Sequence, residues 1–151
     1  MKYIIETIVN LSREEVVAKF MDEDSLKHWM EGLKSIELID GVAGEKGAKS
    51  IVKFDTGKRK IEMEEIIVDK QLPDFITMQY NTKQMVNTNT HNFIDLKNGT
   101  TRLKIDQEFK LNGIVMKLMG VLMKGMFKKQ SKKYSDAFKA FAEEGKSVLD
   151  Y

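Results

Sequence analysis

Three side chains combine acid–base chemistry with strand-like surroundings: Glu65, Tyr80 and His91. Glu65 has the parity of Ile61, Met63 and Ile67 in KIEMEEIIV (60–68). Residues two apart in a strand share a face, so an apolar face there holds a carboxylate. Two readings are open. A bulge or twist frees Glu65 to solvent, leaving Ile66 and Val68 to the other face, or Glu65 stays inside as a polar anchor or general acid with a raised pKa. Tyr80, in FITMQYN (75–81), adds a hydroxyl to an apolar wall. His91 lies in MVNTNTHNFIDL (85–96) and shares its parity with Asn87 and Asn89.

Other chemistries find no support. With no cysteine, disulfides, thiol catalysis and Cys-ligated zinc are excluded. No GxSxG or HExxH occurs. GEKGAKS (44–50) lacks the GKS order of a phosphate loop and joins two strands instead of opening a helix. His28 and His91, the two histidines, have no ligand-spaced partner. No metal or cofactor is therefore expected, and no catalytic residue is assigned beyond the candidates Glu65, Tyr80 and His91. A net charge of +2 gives no general affinity for nucleic acid.

The positioning elements follow from periodicity and turn residues. KYIIETIVN (2–10) suits a strand. Ser12 with Glu15 fits a capping box ahead of Val16, Val17, Phe20 and Met21 at helical spacing. Asp22 or Asp24 can cap a second short helix carrying Leu26, Trp29 and Met30, which Gly32 ends. Six strands are predicted next: 34–40, 50–54, 60–68, 75–81, 85–96 and 101–111. The last alternates most clearly, with Leu103, Ile105, Gln107 and Phe109 on one face. The turn at Asn98-Gly99 leaves two registers. A two-residue turn puts Asn92 and Ile94 on the face of Leu103; a three-residue turn with a glycine bulge puts Asn87, Asn89, His91 and Phe93 there. The second is preferred because it buries Phe93 beside Leu103.

From about 113 to 145 the pattern is helical. Phe127, Tyr134, Ala137, Phe138 and Phe141 form an ordinary core-facing stripe. The first half, GIVMKLMGVLMKGM (113–126), is apolar around most of its circumference, broken by Lys117 and Lys124. Its lysines and glycines argue against a stable bilayer span. A ligand, a partner subunit or a membrane surface must meet part of so wide an arc. Lys124, Lys128, Lys129, Lys132 and Lys133 beside it resemble a basic amphipathic helix.

With one sheet face polar and the other buried, the long helix must cover the buried face, an α+β arrangement. This order resembles the SRPBCC (START-like, helix-grip) superfamily, including its polyketide cyclase/dehydrase and lipid-transport members. The residues carrying the likeness are HWMEGLKSIEL (28–38), GVAGEKG (41–47), NFIDLKNGTTRL (92–103) and MFKKQSKKYSDAFKAFAEE (126–144). The resemblance implies one domain over 1–151. It also implies a curved antiparallel sheet of about seven strands around the C-terminal helix, with a deep apolar cavity between them.

The expected function is binding or transport of a small hydrophobic molecule: a lipid, isoprenoid or polyketide-like compound. Trp29, Phe54, Met63, Tyr80, Asn87, Asn89, His91, Gln107 and Phe109 are expected to contact it. Met116, Met119, Met123 and Phe127 would form an adaptable helical wall. The alternatives are a cyclase- or hydrolase-like enzyme using the polar cavity residues, and an interaction module acting through the Met/Lys-rich helix. A homodimer is a possible partner arrangement. MKYIIETIVNLSREE lacks the form of a signal peptide, so the cytoplasm is the expected location.

Overall fold

In the computed structural model, which describes residues 1–150, strand β1 (Lys2–Val9) alternates exposed and buried side chains without a break. Helix α1 (Arg13–Met21) starts at Ser12, whose hydroxyl accepts from Glu15 N–H and donates to the Glu15 carboxylate. Of the two possible caps for the next turn, Asp22 is used, accepting from Asp24 N–H and the Ser25 hydroxyl. A short 3-10 turn (Glu23–Ser25) and α2 (Leu26–Trp29) follow.

Six further strands complete the sheet: β2 (Leu33–Asp40), β3 (Lys49–Asp55), β4 (Lys60–Gln71), β5 (Phe75–Asn81), β6 (Met85–Asp95) and β7 (Thr101–Leu111). Neighbours are antiparallel in the order β1-β7-β6-β5-β4-β3-β2. In the β6–β7 hairpin Phe93 pairs with Leu103 and His91 with Ile105. Leu96 N–H closes on Thr100 C=O around three residues, the register that buries Phe93. Besides Gly99, Lys97 adopts a positive φ of 63°, held by its N–H bond to Asp95 Oδ1.

The long helix α3 (Ile114–Glu144) lies along β1. Tyr3 shares a hydroxyl bond with Ser131, Thr7 shares one with Ser135, and Asn10 donates to Glu143. From Ser131 to Glu143 the helix rises about 18 Å, and from Tyr3 to Asn10 the strand extends about 23 Å, so the two run side by side. Lys132 Nζ reaches the free Glu6 carbonyl, blunting the open edge of β1. The core gathers where α1, α2 and α3 close on the sheet. Phe138 packs edge-on against Phe20 and Trp29, and Phe20 edge-on against Phe93.

Phe138 is 1% exposed. Phe138→Ala is expected to lower unfolding free energy by about 3–5 kcal/mol in urea titrations. Leu122→Ala, on the exposed part of the same helix, should change it by less than about 0.5 kcal/mol.

Candidate functional site

Because α3 follows the sheet's β1 edge, much of the inner face is left without a helix against it. The result is a cavity of ≈ 380 Å3 between sheet, α2 and α3, within the range of small-molecule sites. Glu65, Tyr80 and His91 all line it. A bulge does occur in β4, but after Ile67, too late to release Glu65. Val68, beyond it, is the residue that faces solvent.

Register then builds a polar band across the apolar wall. Ser50 of β3 pairs with Glu65 of β4, Glu65 with Tyr80 of β5, and Tyr80 with Asn87 of β6. The Glu65 carboxyl is pushed up chiefly by burial, and Tyr80 well up by burial and then by the Glu65 charge. Tyr80 therefore remains a phenol at neutral pH; its hydroxyl also points to Met78 Sδ at 3.8 Å. The band continues as an amide chain. Asn89 donates to Asn87 Oδ1 at 3.1 Å, and Asn87 donates to Gln107 Oε1 at 2.9 Å.

That chain stops short at one end. Asn89 Oδ1, His91 Nδ1 and Trp29 Nε1 are buried and find no hydrogen-bond partner among the described residues. His91 and Trp29 both pack on Phe20, with ring centroids 4.7 and 5.6 Å away. His91 stands four residues from Asn87, about 13 Å along β6, so it does not meet the Glu65–Tyr80 pair. The catalytic candidates thus divide into a carboxyl–phenol pair and a separate imidazole.

The cavity lining contains Glu23 and Glu65 but no lysine or arginine. Among the described residues no cluster of His, Asp and Glu suits a metal ion, and no helix is long and apolar enough to cross a membrane.

The fold recurs in solved structures. A START superfamily protein from Mycobacterium smegmatis superposes with a TM-score of 0.77 at 12% identity, over 95% of this chain and 97% of that one. A conserved protein from Geobacillus kaustophilus gives 0.72 at 19% identity, over 94% and 95%. Norcoclaurine synthase from Thalictrum flavum gives 0.72 at 13% identity, over 95% of each. The chain has the helix-grip fold. No family model matches the sequence, and neither does any curated protein.

Of the residues expected at a helix-grip cavity, Trp29, Phe54, Met63, Asn87, Asn89, Gln107, Phe109 and Phe127 line it, as do the three acid–base candidates. Met116, Met119 and Met123 do not. Their expected place as a cavity wall is corrected by the geometry of α3. Ser131 already lies opposite Tyr3, near the start of β1. The turns before Phe127 therefore have almost no strand to rest on; from Ile114 to Met126 only Gly120 is buried. The cavity wall begins at Phe127, whose ring is tilted against Phe109 with centroids 5.1 Å apart.

Several lining residues escaped the sequence reading, Ser50, Ser131 and Ser135 among them. Ser131 and Ser135 sit one turn apart between Phe127 and Phe138 on the inner stripe, a spacing that could have revealed them. Ser50 has the same parity as Val52 and Phe54, which also marks it as inward.

Burial holds His91 down at about 4, against an ordinary 6.5. The unfolded chain takes up this proton first as pH falls, so stability is lost between pH ~6.5 and ~4 and is intact above that window. Compared with His91→Phe, the wild type should lose an extra ~1–3 kcal/mol on going from pH ~7 to ~4. Urea midpoints across that range check it, and parallel curves for the two proteins would contradict it.

Proposed function

We propose that the protein binds and carries a small, largely apolar molecule, of lipid, isoprenoid or polyketide-like character, bearing a neutral hydrogen-bonding group. The observation that carries this reading is the unfinished polar set in an apolar cavity. Burying polar atoms without partners costs about 1–3 kcal/mol each, and Asn89 Oδ1, His91 Nδ1 and Trp29 Nε1 have none. A ligand hydroxyl can donate to Asn89, and a hydroxyl or carbonyl oxygen can accept from Trp29. Tyr80 and Glu65 offer a second donor and acceptor further along the band.

Charge narrows the ligand class. A carboxylate in this cavity would meet Glu23 and Glu65 and no cation, and an unpaired buried charge is strongly disfavoured. The neutral His91 does not compensate. The ligand is therefore an alcohol, ketone or similar neutral amphiphile and not a fatty acid anion.

Trp29, the sole tryptophan, lines the cavity and can report binding of a neutral fluorescent probe by energy transfer. A medium-chain alkyl alcohol should displace the probe at a concentration at least about tenfold lower than the carboxylate of equal length, given the cost of burying an unpaired charge. Equal competition, or a preference for the carboxylate, would overturn the ligand class. Absence of saturable probe binding would overturn the carrier reading itself.

A further inference from the structure

The first turns of α3 expose an apolar face that the fold does not use. Ile114, Val115, Leu118, Val121, Leu122 and Met126 are 81%, 70%, 60%, 80%, 82% and 64% exposed. At about 100° per residue they group on the side of the helix away from Gly120 and Phe127, the residues that face the body of the protein. Large apolar side chains exposed singly are ordinary on a protein surface, whereas a contiguous face of them marks an interaction site.

Charge indicates what meets it. No Asp or Glu occurs between Glu108 and Asp136. Lys117, Lys124 and Lys128 recur at spacings of seven and four along one flank of the apolar face, with Lys129 beside them. Among the described residues none of the four finds an ion-pair partner, whereas Lys132 and Lys133 are engaged by Asp136 and Glu31. Sheet register adds more positive charge at the same end. The β3–β4 tip carries Lys58, Arg59 and Lys60, and the β5–β6 turn carries Lys83; all four are exposed. Asp55 pairs with Lys60, Glu64 with Asn81, and Met85 with Leu111, which places both tips at the end where β7 passes into α3. Asn112 joins the second tip directly, donating to Gln84 and Lys83 carbonyls.

We propose that this end of the molecule docks on an anionic lipid surface, with the outer face of Ile114–Met126 entering the headgroup–acyl boundary and the surrounding lysines and Arg59 meeting lipid phosphates. An amphipathic helix lying in the interface has this composition, and each juxtamembrane cation strengthens attraction to an anionic leaflet. A second copy of the chain fits less well. Two acid-free helices packed face to face would set lysine against lysine, with nothing on either to neutralise them. The same end holds Met85, Phe109 and Phe127 of the cavity lining, so docking sets that part of the site against the lipid.

Co-flotation of the purified protein with phosphatidylcholine vesicles, with and without phosphatidylglycerol, tests this. Binding is expected to the anionic vesicles, to fall at high salt, and to be at least about tenfold weaker to the neutral ones. Leu118→Ser/Leu122→Ser, both on the exposed face, should abolish flotation while leaving the circular dichroism and probe binding by the cavity unchanged. Lys124→Glu/Lys128→Glu should weaken it at least about tenfold through the charge term alone. No flotation with anionic vesicles, equal flotation with neutral ones, or retention by the serine variant would overturn the proposal. So would sedimentation as a dimer that the serine variant dissolves. Probe binding is read separately, so failure of the cavity reading would leave the vesicle result standing.

Discussion

The hydroxyl bonds between β1 and α3, Tyr3 to Ser131 and Thr7 to Ser135, hold the long helix over one margin of the sheet. The rest of the architecture depends on that offset. A helix laid along the middle of the sheet would bury the inner face outright. Held along β1, it leaves β3, β4 and β5 to face open space, and α1 and α2 close only one end of it, through Phe20 and Trp29. The bonds are polar contacts inside a largely apolar layer, so they also fix register. Sliding α3 by one turn would put one serine in the other's place and strand two of the four hydroxyls, Thr7 with Ser131 or Tyr3 with Ser135, at about 1–3 kcal/mol for each buried group.

The polar band is the second consequence. An apolar cavity tolerates polar side chains when they satisfy each other, and Asn89, Asn87 and Gln107 do so in sequence. The chain has one direction, however, and leaves an acceptor at its Asn89 end. Beside it, burial keeps His91 neutral, and Trp29 keeps a free indole N–H. Free donors and acceptors at one end, and a carboxyl–phenol pair in the middle, give the cavity an orientation that pure hydrophobicity would lack. Without any lysine or arginine in its lining, it offers no cation to a buried anion.

Most of this was legible in the sequence for definite reasons. Strand parity placed Tyr80, Gln107 and Phe109, because a two-residue period leaves few choices once one face is apolar; for Glu65 it left two readings open, which turn on where β4 bulges. The register of β6 turned on a single packing argument, the burial of Phe93. The cross-strand pairings of the band were not legible. Pairing Glu65 with Tyr80, and Ser50 with Glu65, depends on how many residues the β4–β5 and β3–β4 turns consume and on a bulge after Ile67. The methionines were misplaced for a different reason. Helical periodicity tells which side of a helix is apolar, but not where along its length the supporting strand ends. Met116, Met119 and Met123 lie before Phe127, where β1 has run out.

The most direct test of the central claim is a crystal structure of the protein with a medium-chain alkyl alcohol. One molecule is expected inside the cavity, its chain among Met63, Phe54 and Phe109, and its hydroxyl within hydrogen-bonding distance of Asn89 Oδ1. An interior filled by the protein's own side chains, with the alcohol bound only along the exposed face of α3, would contradict it.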